Sequence, residues 1–224
     1  MASPDRKARK KLQRRQEILE AAYTVFREVG YSAATVDLIA ERADLAKGTI
    51  YIYFKSKEEL YFSLLVNGLD ILVELLRDLS TKDHPPETML KETAGTLFQF
   101  YTEYTDYFRL FIVMQQEDMQ NKLTPELAGE LNARGTAILK LLSSQIQSLI
   151  GSGVATPVNP WNIANILWGA FNGITELAIT REHLKVRNPN TEDLIYLFFE
   201  VIERGLASHP AKPRSKASNR QARP

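Results

Sequence analysis

The chain has 224 residues, of which 44% are hydrophobic and 25% charged, enough for a large core and ordinary for a globular protein. It has no cysteine, which excludes disulfides, thiolate catalysis and cysteine-ligated metals and points to a reducing, cytoplasmic setting. The net charge of +1 conceals an asymmetry: residues 1–60 carry 12 Lys/Arg against 9 Asp/Glu, residues 61–206 carry 11 against 18, and residues 207–224 carry 5 against none, so a polyanion is expected to meet one end of the body.

Taken in order, the N-terminus MASPDRKARKKLQRR has no apolar stretch behind it and is not a secretory signal. Helical periodicity starts near Lys10 and runs to Val29, with Ile18, Ala22, Val25 and Phe26 on one face and Gly30 as the stop. Thr35 caps a short second helix. Asp44-Leu45-Ala46 makes a turn, and Lys47 to Phe54 is ambiguous. Its centre, TIYIYF, has the β-branched and aromatic composition of a strand. As a helix it puts Ile50 and Phe54 on one stripe, with Lys47, Gly48, Thr49 and Ile52 facing away or sideways. As a strand it puts Ile50, Ile52 and Phe54 together. An isolated strand would leave its backbone groups unpaired, so the helix is favoured.

Ser56-Lys57-Glu58-Glu59 has capping-box form and opens a long leucine-rich helix to about Ser80. His84-Pro85-Pro86 breaks it. Helices are then expected near 87–104 and 106–118, from Thr124-Pro125 to Gly151, from Asn159-Pro160 to Leu184, and from Thr191 to Ala207. The fold class is all-α, with about nine helices. No run is long and apolar enough to span a bilayer, so no membrane partner is expected.

Helices two and three form a helix-turn-helix candidate, with the third lying in a DNA major groove. Here Arg15–Leu65 resembles the N-terminal DNA-binding domain of the tetracycline-repressor (TetR) family. The resemblance rests on the A-x-x-x-F-x-x-x-G-Y end of helix one, Thr35, I-A-x-x-A, A-K-G-T-I-Y-x-Y-F and S-K-E-E-L, all present together. Asp44 stands where the family usually has glycine, and Ile52 where a polar or aromatic residue is frequent. The resemblance implies DNA contact by Thr35, Val36, Lys47, Gly48, Thr49, Tyr51, Ile52, Tyr53 and Lys57. Physically, Thr35 offers a hydroxyl to phosphate, Lys47 reaches a guanine edge or a phosphate, Gly48 permits close approach and Thr49 offers a hydroxyl and a methyl. Tyr51 suits thymine methyls or a phosphate. Tyr53 and Lys57 are phosphate clamps in the family pattern. The competing reading for both tyrosines is amphipathic packing. The seven basic side chains of residues 6–15 could follow phosphates or enter a minor groove.

The resemblance also implies that the rest of the chain binds a small ligand and dimerises. The expected organisation is a basic arm over 1–14, a helix-turn-helix domain over 10–55, a ligand-binding and dimerisation domain over 56–207 and a disordered basic tail over 208–224. Dimer candidates are Gly169, Gly173, Leu194, Phe198, Val201 and Ile202. The aromatic string from Phe98 to Phe111 must be mostly core. Tyr101, Tyr104, Phe108, Phe111, Met114, Trp168 and Phe171 remain candidates for a ligand wall, with Asn172 and Glu176 as polar points that either orient a ligand or serve the dimer seam.

No phosphate loop, H-E-x-x-H, metal cluster or nucleophile constellation appears, so neither enzyme chemistry nor a cofactor is expected. The expected partners are double-stranded operator DNA, an apolar or amphipathic effector and a second copy of the chain. The rival reading is an all-helical lipid or small-molecule carrier without specific DNA binding.

Overall fold

A computed structural model describes residues 4–114, 117–184 and 190–207. The tail expected to be disordered, 208–224, and the break at Asn188-Pro189 lie outside the described residues. The described residues form ten α-helices and one 3₁₀ turn, with no strand: α1 (Pro4–Ala33), α2 (Val36–Arg42), α3 (Lys47–Tyr53), α4 (Lys57–Thr81), the turn Pro86–Thr88, α5 (Met89–Glu103), α6 (Thr105–Met114), α7 (Glu117–Gln120), α8 (Pro125–Gly151), α9 (Pro160–Leu184) and α10 (Thr191–Leu206). The all-α expectation holds.

Local chemistry sets the boundaries. Thr35 Oγ1 accepts from Leu38 N at 3.2 Å and Ser56 Oγ from Glu59 N at 3.2 Å. Asn159 and Asn190 cap α9 and α10 through their side-chain oxygens, accepting from Trp161 N at 3.0 Å and Glu192 N at 3.1 Å. Gly30 turns left-handed at φ 76° and kinks the end of α1, while Asp44 takes φ 53° in the turn before α3. Aspartate tolerates that region, which explains why glycine is dispensable there.

One expectation needs correction. The first helix begins at Pro4 rather than Lys10, so the basic run is helical. Its Lys, Arg and Gln residues are good helix formers, and Arg14–Glu17 (2.7 Å) and Gln13–Glu17 (3.1 Å) bind one turn apart. The helix expected over 106–118 is met by α6, described to Met114, and α7, described from Glu117, with residues 115–116 outside the described residues.

Two apolar clusters form the core. The first joins α1, α2 and α3 through Ile18, Ala22, Phe26, Ile39, Ile50 and Phe54. It continues into α4 at Leu60, Tyr61 and Leu64, and receives Leu110, Met119 and Leu127 from α6, α7 and α8. The second fills the space among α4, α5, α8, α9 and α10. Helix α4 runs through both clusters and packs most extensively on α8. The three-helix head and the body thus share one continuous helix and apolar side chains contributed by α6, α7 and α8.

Candidate DNA interface and effector cavity

Seven residues are too few for a stable isolated helix, so α3 depends on Ile50 and Phe54, which are fully buried. Their burial contributes about 1.5–3 kcal/mol each. What remains points outward. Ile52 is 72% exposed and Tyr51 47% exposed. Gly48 is exposed with open space above it, Thr49 is half-buried, and Tyr53 is half-buried against the head core. Thr35 is exposed and its hydroxyl proton is available, because Oγ1 acts as acceptor toward Leu38. Val36 lies half-buried against the same core. Lys47 pairs with Asp37 at 2.8 Å on the surface, and this pairing raises its pKa.

Lys57 has a different employment from the expected one. Its ammonium donates to the carbonyls of Tyr31 (2.8 Å) and Ala34 (2.9 Å) and sits 4.2 Å from the Tyr31 ring centroid. Two of its three protons therefore hold the kinked end of α1 onto α4, and burial lowers its pKa. Beside it, burial opposes ionisation of Glu58. Bonds from the Tyr31 hydroxyl (2.8 Å), its own backbone N–H, Ser56 and Lys122 outweigh that and hold the carboxyl at about 2. This lysine is a fold brace before it is anything else.

The basic run joins the outward face of α3. Lys7, Lys10, Lys11, Arg14 and Glu17 line one open groove together with Ile52 and Tyr53. Arg15 leaves the run: its guanidinium lies 4.7 Å from the Phe54 ring centroid and donates to Ser63 Oγ at 3.1 Å.

In the body, a cavity of about 200 Å³ opens between the helices. Helix α4 supplies Leu65, Gly68 and Leu69, and α5 supplies Phe100. Helix α6 contributes Tyr107, Phe108, Phe111 and Met114. Leu131, Asn132 and Gly135 come from α8, and Trp168 and Asn172 from α9. Of the expected ligand-wall residues, Phe108, Phe111, Met114, Trp168 and Asn172 therefore meet in one place. The others do not. Phe171 is fully buried behind Phe108, ring centroids 5.5 Å apart, and Tyr101 and Tyr104 pack on the body core. Glu176 is exposed and outside the lining, one helical turn, about 6 Å, farther along α9 than Asn172. Gly68, Asn132 and Gly135 escaped the sequence reading because a small residue or an amide on a helix face carries no periodic signal.

One side chain ties cavity to head. The Tyr107 ring covers Gly68 so closely that a Cβ there would lie 2.6 Å from Tyr107 Cδ1. The same ring stacks on Tyr23 of α1 at 5.3 Å. The Tyr23 hydroxyl donates to Asp106 Oδ2 at 3.0 Å, and burial, then this bond, pushes its pKa up to about 12.

Helices α9 and α10 also leave apolar surface uncovered. Ile166, Leu177, Leu197 and Val201 are about half exposed, and Gly169 and Gly173 have open space above them. Leu194 is half-buried, while Phe198 and Ile202 turn partly inward onto the body core. Among the described residues no helix is long and apolar enough to cross a membrane, and no cluster of three metal-ligating side chains occurs.

The family model for bacterial regulatory proteins of the tetR family matches residues 18–64, the stretch from α1 to the first turns of α4. The chain is 30% identical over 149 residues to the uncharacterized HTH-type transcriptional regulator YhgD of Bacillus subtilis, covering 66% of this chain and 75% of that protein. It is 30% identical over 188 residues to the fatty acid metabolism regulator protein of Bacillus subtilis, covering 84% and 91%. The solved structure of the transcriptional regulator FadR from Bacillus subtilis in complex with stearoyl-CoA superposes with a TM-score of 0.68 over 85% of this chain and 98% of that one, at 21% identity, a likeness of fold. The helix-turn-helix head, its matching sequence and relatives alike over most of their length place this chain in the tetR family of DNA-binding transcriptional regulators.

Proposed function

We propose that this protein is a homodimeric repressor whose operator affinity falls when a small apolar effector occupies the body cavity. The observation that carries this reading is the side chain of Tyr107, which walls the cavity and stacks on Tyr23 of α1. A ligand that shifts α6 has a direct lever on the head through that stack and the Tyr23–Asp106 bond. An acyl-type effector is supported by the relative named for fatty acid metabolism and by the FadR structure solved with stearoyl-CoA.

On the DNA side, α3 enters the major groove with Lys47, Gly48, Thr49, Tyr51 and Ile52 toward the bases. Thr35 and Tyr53 meet phosphates. Ile52, exposed and without a polar atom, reads a thymine methyl. The helical extension of α1 is about 10–12 Å across and too thick for a minor groove about 6 Å wide. Lys7, Lys10, Lys11 and Arg14 therefore follow the phosphates beside α3. Dimerisation uses the exposed stripes of α9 and α10, with Gly169 and Gly173 allowing close helix approach.

Footprinting on DNA upstream of the gene, with and without a panel of acyl-CoAs, tests this reading. The expected result is a pair of protected half-sites one helical turn or a multiple apart, with protection lost on ligand addition. A single half-site, or protection that no ligand in the panel relieves, contradicts it.

A further inference from the structure

The cavity's size and lining restrict what it accepts, on the reading that this cavity is the effector site. None of its lining side chains is charged. Arg134 and Asp70, next in sequence to the lining residues Gly135 and Leu69, pair with each other at 2.9 Å. A buried carboxylate would find no cation there and would carry an uncompensated desolvation cost. The polar groups on offer are amides. Asn172 donates from Nδ2 to the Trp168 carbonyl at 2.7 Å, which fixes the amide and leaves Oδ1 as an acceptor. Asn132 is exposed at the rim. Both suit a neutral polar link.

Volume gives the second limit. A cavity of about 150 Å³ takes benzene, which is about 25 Å³ of cavity per carbon. On that scale about 200 Å³ holds a single ring or a chain of roughly eight carbons, whereas an 18-carbon chain needs about 450 Å³. The inner walls do not give way easily. Phe108 is buried and meets both Phe100 (5.3 Å) and Phe171 (5.5 Å) edge to face. Tyr107 is pinned between Gly68 and Tyr23. The softer side is the half-buried rim of Phe111, Met114 and Leu131. We infer that the effector inserts a short uncharged apolar group, a ring or a medium-length chain joined to a neutral polar link, and neither a long acyl tail nor a free carboxylate.

Calorimetric titration of the full chain with octanoyl-CoA, octan-1-ol, stearoyl-CoA and octanoate tests this. Octanoyl-CoA or octan-1-ol, whichever source supplies the group, is expected to bind at least tenfold more tightly than stearoyl-CoA and octanoate. The Gly135→Leu variant, whose new side chain points into open space, should abolish that binding while retaining the wild-type melting temperature and DNA retention. Phe111→Ala should widen the rim and narrow the gap to stearoyl-CoA. Stearoyl-CoA or octanoate binding as tightly as octanoyl-CoA, with Gly135→Leu still blocking it, overturns the size and charge limits and leaves the effector site standing. Binding indifferent to Gly135→Leu, or no binding by any probe, overturns the cavity's assignment as well.

Discussion

At the scale of single residues, TIYIYF shows how one stretch serves two environments. Its composition reads as a strand, yet Ile50 and Phe54 fall four apart and are buried while Tyr51 and Ile52 are exposed, the division a helix imposes. Spacing allowed both readings, and that division became legible once the unpaired backbone groups of an isolated strand ruled the strand out. The role of Lys57 was not, because its partners are backbone carbonyls of Tyr31 and Ala34, and a carbonyl acceptor leaves no trace in sequence. Replacing Gly68 by Ala puts a methyl group against the near end of the Tyr107 ring. Urea unfolding should register a loss of roughly 1–3 kcal/mol, largely relieved when Tyr107→Ala is added. The Tyr31–Glu58 bond gives a pH signature. Glu58 is held at about 2, below the roughly 4.3 of an unfolded chain. Its contribution is complete above that unfolded value and disappears as the pH falls toward 2. Tyr31→Phe keeps the ring and removes the bond, so it should lower stability at pH 7 by about 1–2 kcal/mol. The gap from wild type should narrow below pH 4; a constant gap down to pH 2 contradicts the assignment.

At the scale of elements, the helices from α4 onward were readable because Ser56, Thr124-Pro125, Asn159-Pro160 and Asn190 announce their starts chemically. The start of α1 was not, since a basic run reads equally as arm or helix until its i,i+3 and i,i+4 bonds are seen. The helical form puts four cations on one groove with α3. Each phosphate neutralised adds about −0.9 to the slope of log affinity against log salt. Lys10→Ala with Lys11→Ala should therefore flatten that slope by up to about 2 per protomer in an anisotropy titration while preserving sequence preference. An unchanged slope places the extension off the DNA. Helix α6 carries the link to the head. Tyr23→Phe deletes its bond to Asp106 and should leave ligand-free operator affinity intact while raising the effector concentration for half-release about fivefold or more.

At the scale of the whole molecule, the cavity and the uncovered faces of α9 and α10 were only partly visible in the sequence. A cavity is built by five helices that meet through packing, and no local pattern records which faces meet. The glycine pair on α9 was visible as spacing, and its open surroundings are what the fold adds. Leu197→Glu with Val201→Glu, both exposed, should convert the dimer to a folded monomer in sedimentation and remove operator retention. The central claim, that the outward face of α3 reads DNA, is tested most directly by operator affinity of the Tyr51→Ala, Ile52→Ala double variant at fixed salt, alongside its melting temperature. Both side chains are exposed and outside the core, so the account predicts an unchanged melting temperature and at least tenfold weaker, less selective binding. Wild-type affinity and selectivity in that variant would contradict it.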